Sequence, residues 1–206
     1  MKIPAVAISR LSVYARHLSV LDTNGREVIS SGHLADLCGV NPAQIRKDLA
    51  YFGEFGVRGV GYYVKELLFE IRKILGADKQ WRLALVGAGN LGSALLRHMS
   101  RADRGYRFIV AFDRNPKRIG ERIGEVEVKP LDAIDRLIEA LDIEIGAIAV
   151  GPESAQEVCD RLIRAGIRGI LNFAPVQIQC PPHVSVEHVD FTLKLDRLCY
   201  RLTSES

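Results

Sequence analysis

Apolar positions recur at steps of three and four near the start of the chain: Ala7, Leu11, Tyr14, Leu18 and Leu21. That spacing predicts an amphipathic first helix, ended by the turn residues Thr23-Asn24-Gly25. A short second helix is expected from Ser30 or Ser31, burying Leu34 and Leu37 and stopping at Gly39. In Asn41-Pro42-Ala43-Gln44 a cap, a first-turn proline and a capping-box partner stand in order, so a third helix begins there. Its core face is Ile45, Leu49 and Phe52. Lys47 falls opposite, with Tyr51 near it and Gln44 and Arg46 on the flanks. A helix, a tight glycine turn and a second helix with outward basic residues make a helix-turn-helix. Gly53, Gly56, Gly59 and Gly61 then suit a tight hairpin, a wing with Arg58 and Gly59 at its tip. One more helix carries Leu67, Leu68, Ile71, Ile74 and Leu75, and residues 76–80 read as a linker.

From Trp81 the pattern changes to short apolar runs separated by helical stretches. Residues 82–86, 108–112, 145–150 and 169–172 have the character of buried parallel strands. Residues 91–99, 131–141 and 154–165 supply helices between them. Alternation of this kind predicts an α/β Rossmann-type parallel sheet with helices on both faces. A last helix follows Asp190 as its cap, with Phe191, Leu195, Leu198, Cys199 and Leu202 on one side. The expected domains are a winged helix-turn-helix over 1–78, a dinucleotide-binding domain over 79–188 and a C-terminal helix over 189–206.

Charge supports this division. Through Gln80 there are 11 Lys+Arg and 8 Asp+Glu, an excess of +3, and the remainder balances at 17 against 17. The surplus belongs to the segment expected to face phosphates. No apolar run approaches the roughly 20 residues of a membrane span, and the N-terminus lacks the pattern of a signal peptide, so the expected location is cytoplasmic. Cys38, Cys159, Cys180 and Cys199 are scattered. Reduced thiols are the expectation, with a thiol switch or a metal site as alternatives. The five histidines show no metal spacing, and no metal is expected.

Gly87-Ala88-Gly89-Asn90-Leu91-Gly92 follows an apolar strand and opens a helix. Gly87 permits the tight turn, Gly89 lets a pyrophosphate approach the backbone, and Gly92 lets helix and strand pack closely. Helix amides add partial positive charge. Asp113, 21 positions beyond Gly92, can accept hydrogen bonds from ribose hydroxyls and would repel a 2′-phosphate. That favours NAD(H), although Arg114 stands beside it. Gly151-Pro152 and Asn172-Phe173-Ala174-Pro175 follow strand ends and are expected to wall a nicotinamide pocket. Gln44, Arg46, Lys47, Tyr51, Arg58 and Gly59 are the candidates for DNA contact. Acid–base residues for catalysis are not evident, so a non-enzyme is expected. The rivals are a small NAD-dependent dehydrogenase with an accessory helical domain and a CoA- or nucleotide-binding regulatory module.

Together these residues resemble the Rex family of redox-sensing transcriptional repressors. The resemblance spans essentially the whole chain: Ile3-Pro4 with Ile8, Arg10 and Leu11, residues 46–62, the glycine turn with Asp113, residues 169–175, and Val189-Asp190-Phe191. It implies a homodimer in which C-terminal helices are exchanged, an inverted-repeat double-stranded DNA operator, and NADH as the releasing effector. It further implies that Lys47 and Arg58 contact DNA and that Phe191 walls the nicotinamide pocket of the other copy. Arg16 and Asp190 resemble a coupling pair between the winged helix and the swapped helix. His98 stands where some relatives carry tyrosine, which would make that hydrogen-bonding position sensitive to pH.

Overall fold

The computed structural model describes residues 3–99 and 105–204. The chain divides into two compact units, Met1–Lys79 and Gln80–Ser206.

The first unit is built from α1 (Ala5–Thr23), β1 (Val28–Ile29), α2 (Ser31–Cys38), α3 (Pro42–Ala50), β2 (Tyr62–Tyr63) and α4 (Val64–Ile74). Side chains set the starts of α2 and α3. Ser30 Oγ accepts from the His33 amide at 3.1 Å and Asn41 Oδ1 from the Gln44 amide at 2.8 Å, each satisfying one of the orphan donors of a first turn. Gly39, left-handed at φ 64°, ends α2 and makes the turn into α3. The core joins Leu11, Tyr14 and Leu18 of α1 to Leu34, Ile45, Leu49, Leu67 and Ile71, each worth about 1.5–3 kcal/mol on full burial. Leu37, expected inside, is 39% exposed. The helix is only eight residues long, and its inward stripe is filled by Leu34 and Ala35. Between α3 and β2 the chain forms a hairpin with paired Val57–Gly61 backbone bonds of 2.8 and 2.9 Å. Val60 N donates to Val57 O, and Gly59 takes the φ of +81° required at the third position of a type II turn. Gly61 is obligatory for a second reason: a Cβ there would lie 2.5 Å from the Ile29 carbonyl oxygen.

The second unit contains β3 (Trp81–Val86), α5 (Asn90–Met99), β4 (Tyr106–Asp113), β5 (Arg122–Ile123), β6 (Val126–Pro130), α6 (Ile134–Ala140), β7 (Ile145–Ile148), α7 (Pro152–Arg164), β8 (Gly169–Asn172), β9 (Ser185–His188) and α8 (Thr192–Ser204). The sheet runs β5-β6-β4-β3-β7-β8-β9, parallel throughout except for β5 on β6. Apart from β5, this is the 3-2-1-4-5-6 order of a doubly wound dinucleotide fold. Period-two alternation divides the core: Leu83 and Leu85 pack on one face with Leu96 and Val128, while Ala84 and Val86 pack on the other with Ile138, Ile148 and Leu162. A bulge at Ile109 shifts the β3–β4 register, so that Leu83 pairs with Phe108 and Ala84 with Val110. Phe191, just before α8, and Leu193, Leu195, Leu198, Tyr200 and Leu202 along it are all more than half exposed.

Candidate functional site

In the first unit the recognition face is held from behind by one buried carboxylate. Asp48, wholly buried on α3, accepts from Arg10 Nε (2.5 Å) and Nη2 (2.7 Å), from Tyr14 Oη (2.7 Å) and from Gln44 Nε2 (2.7 Å). Burial alone would raise the Asp48 pKa. The bonds from Arg10, Tyr14 and Gln44 outweigh burial and hold it below the usual carboxylate range. Arg10 and Tyr14 belong to α1, so this carboxylate clamps α3 to α1.

Gln44 therefore turns inward, unlike the outward use expected of it. Lys47 and Arg58 are exposed and Tyr51 is half-buried. Arg46 lies across the α2 start, donating to Ser31 Oγ at 3.0 Å. It lines a cleft of about 430 Å³ together with Ser31, Arg58, Gly59 and Tyr62. Helix and wing thus present Arg46 and Arg58 to one cleft, with Lys47 on the same helix. A surface of this kind suits a phosphate backbone, and an arginine at a glycine tip suits a narrow minor groove.

In the second unit the C-terminal ends of β3, β4 and β7 surround a cavity of about 290 Å³. Gly87, Gly89, Asp113, Arg114 and Gly151 line it, together with Leu131, Ser154, Glu157, Val158 and Arg161. The place is the topological switch point between β3 and β7, where open α/β sheets bind ligands. The glycine turn fits a pyrophosphate. A Cβ at Gly87 would lie 2.5 Å from the Ala149 carbonyl oxygen, and one at Gly92 would overlap the Gly87 carbonyl oxygen. At Gly89 an added Cβ meets nothing within 4 Å, which leaves room above the backbone for a ligand. Asn90 and Leu91 begin α5, whose first-turn amides have no intrahelical acceptors. Asp113 Oδ2 accepts from the Ala88 amide at 2.7 Å and Oδ1 from the Asn115 amide at 2.8 Å. Strand end and glycine turn are thereby joined, and each oxygen keeps a second lone pair for a ribose hydroxyl.

Other expected residues lie elsewhere. Asn172 is buried and serves its own loop. It donates to Val176 O (2.8 Å) and Ala174 O (3.3 Å), accepts from Ala174 N (3.0 Å) and meets His188 Nδ1 (3.1 Å). Neither it nor Phe173, Ala174, Pro175 or Pro152 lines the cavity. His98 is exposed on α5, Arg16 exposed on α1, and Phe191 exposed just before α8. Asp190 Oδ1 caps α8 by accepting from Thr192 N at 2.8 Å and from Thr192 Oγ1. Sequence reasoning missed Arg118, which donates to Ala88 O and to Ser93 Oγ (2.5 Å) and pairs with Glu121 (2.8 Å), bracing the glycine turn from outside. It also missed the α7 face of Ser154, Glu157 and Arg161. A lone arginine in a polar loop gives no signal. The α7 face becomes visible only once the sheet order sets that helix beside β3. Among the described residues, no group of three His, Cys, Asp or Glu could hold a metal ion, and no helix is long and apolar enough to cross a membrane.

A winged helix with an exposed basic cleft, on one chain with a Rossmann-type dinucleotide fold, defines a ligand-responsive DNA-binding regulator. The redox-sensing transcriptional repressor Rex of Syntrophobacter fumaroxidans is 52% identical over 203 residues, covering 98% of this chain and 97% of that protein. That of Maridesulfovibrio salexigens is 50% identical over 202 residues, covering 98% and 97%. The chain belongs to the Rex family of redox-sensing transcriptional repressors. Residues 2–50 match the family described as putative DNA-binding protein N-terminus, and residues 78–176 the one described as CoA binding domain. The solved structure of RSP in complex with β-NAD⁺ and operator DNA superposes with a TM-score of 0.93 at 38% identity, covering 100% of this chain and 94% of that one. RSP in complex with β-NADH gives 0.89 at 37% identity, covering 100% and 96%.

Proposed function

We propose that this chain is a homodimeric repressor that binds inverted-repeat operator DNA through its first unit and NAD(H) through its second, NADH being the releasing ligand. It acts in the cytoplasm by binding alone, without turnover. One observation carries the reading: a single chain holds both a glycine cradle answered by Asp113 and an exposed Lys47–Arg58 surface. The RSP complexes with β-NAD⁺ and operator DNA and with β-NADH support it.

NAD(H), when bound, supplies a nicotinamide ring that is cationic when oxidised and neutral when reduced. The residue 87–92 turn and the first amides of α5 hold the pyrophosphate. Asp113 accepts from the ribose and disfavours a 2′-phosphate, with Arg114 beside it. Gly151-Pro152 and residues 172–175 stand at strand ends beyond the cradle. The apolar face of α8 is the surface a second copy covers, since soluble chains seldom leave such a patch bare. Exchange of that helix brings Phe191 of one copy over the pocket of the other and sets Asp190 within reach of Arg16. His98 belongs to the same coupling region. A wall built on Phe191 would penalise burial of a cation and accept a neutral ring, so NADH would favour a form of the dimer that NAD⁺ does not. Ligands move such an equilibrium only by their differential affinity for the two states. Couplings are typically about 1–3 kcal/mol and reciprocal.

Gel shift of an inverted-repeat operator tests this directly. NADH releases the DNA at concentrations where NAD⁺ does not; release by both equally, or by neither, rejects the reading. The DNA surface has its own test. Lys47→Ala and Arg58→Ala each lower the slope of log K against log salt by about 1, read by fluorescence anisotropy, while NADH affinity stays at the wild-type value. Equal losses of both activities would mean misfolding.

A further inference from the structure

Two cysteines lie outside everything assigned so far. Cys159, wholly buried on α7, and Cys180, half-buried in the loop between β8 and β9, face one another with their sulfurs 3.2 Å apart. The loop is fixed in that position. Gln156 of α7 donates to Gln179 O at 3.0 Å and accepts from Gln179 N at 2.8 Å, a reciprocal amide pair one residue from Cys180. On the far side Val184 N bonds Pro181 O at 3.0 Å, and Ile178 and Val184 are anchored in the core. A disulfide is about 2.05 Å long, so little more than 1 Å separates the two thiols from a covalent bond. The same helix carries Ser154, Glu157 and Val158, which line the cavity, and the loop springs from Asn172 at the end of β8.

We propose that Cys159 and Cys180 form a reversible dithiol–disulfide site, oxidised by hydroperoxides, that locks the β8–β9 loop to α7 and weakens dinucleotide binding in the cavity beside it. The second half of this statement rests on the cofactor reading above; the first does not. Cys180, the more accessible sulfur, attacks the peroxide oxygen. The O–O bond breaks, the departing hydroxide or alkoxide takes the Cys180 proton and leaves as water or alcohol, and a sulfenic acid remains. Cys159 then attacks the Cys180 sulfur. The S–O bond breaks, and the departing hydroxide takes the Cys159 proton and leaves as water. Two thiols are oxidised by two electrons, and the peroxide is reduced by the same two. Burial, with the hydrogen bond to Cys180, pushes the Cys159 thiol up to about 12. It therefore stays protonated and inert until a sulfenic acid is held against it. Close-packed interiors transmit small displacements, so drawing the sulfurs together shifts Val158 and its neighbours out of a preformed lining.

The experiment uses the full chain. Protein is treated with hydrogen peroxide, alkylated and mapped by peptide mass spectrometry, before and after dithiothreitol. The expected result is one peptide pair joined through Cys159 and Cys180, reversed by dithiothreitol, with Cys38 and Cys199 still alkylated. NADH titration then shows at least a threefold loss of affinity on oxidation, restored by reductant and absent in Cys180→Ser and Cys159→Ala. Failure of the two peptides to link, or linkage with unchanged affinity, overturns the proposal. Reduced protein that binds no NADH refutes the cofactor reading instead, and the linkage map is read independently of it.

Discussion

Replacing Asp48 with alanine destabilises the first unit by about 3–5 kcal/mol, the cost of breaking a buried, hydrogen-bonded charge pair by removing one partner. The size follows from what is stranded. Arg10 loses both of its short bonds, Tyr14 keeps a buried hydroxyl with no acceptor, and Gln44 loses its bond one turn along α3. Asp48→Asn recovers only part, because its amide nitrogen meets the donors of Arg10 and Tyr14. The pH dependence has a definite sign. The folded pKa of Asp48 is depressed, so its contribution is complete above the unfolded value of about 3.9 and is lost as pH falls through the lower folded value. Urea unfolding followed by circular dichroism measures the loss. The single tryptophan, Trp81, lies in β3 of the second unit and reports that unit separately. A loss below about 1 kcal/mol would mean that α3 is held by its apolar face alone. Operator binding falls with the stability, since α3 carries Lys47, the proposed DNA contact.

Gly92→Ala removes NADH binding and lowers the melting temperature of the second unit, whereas Gly89→Ala weakens binding alone. At Gly92 the new methyl overlaps the Gly87 carbonyl oxygen and meets Leu85 Cδ2 at 3.0 Å. Helix α5 must therefore lift off β3, and overpacking of this kind costs about 1–3 kcal/mol or more. The turn proposed to face the pyrophosphate is distorted with it. At Gly89 the methyl touches no protein atom within 4 Å, so folding is unchanged. The methyl does occupy the space proposed for the pyrophosphate, and affinity drops about tenfold, or ~1.4 kcal/mol. Thermal melting paired with NADH titration separates the two variants. Full NADH affinity in Gly89→Ala would place the pyrophosphate elsewhere.

Residues whose local chemistry decides their role were legible from sequence. Ser30, Asn41 and Gly39 set helix ends wherever they occur, and Leu83 to Val86 could only be a buried strand. The glycine turn and Asp113 were readable because each glycine answers a local steric demand. What stayed hidden depends on distant neighbours. β9, Ser-Val-Glu-His, and β5, two residues long, are strands only because a sheet edge receives them. Gln44 sits at a capping-box position, yet its side chain is claimed by Asp48, itself neutralised from α1 across 38 positions of sequence. Asn172 stands at a strand end, the place of a pocket wall in this fold. It is turned inward by a loop whose carbonyls, Ala174 and Val176, outcompete the cavity for its amide.

The bare apolar flank of α8 has a consequence for dosage. If a second copy covers it, assembly obeys mass action, and the concentration of paired chains rises with the square of total chain when the pool is dilute. Tethering two heads on one operator multiplies their affinities through effective concentration, and an unpaired chain forgoes that gain. Abundance then becomes an input beside cofactor state. Halving expression would relieve repression by more than half, at the same nicotinamide balance.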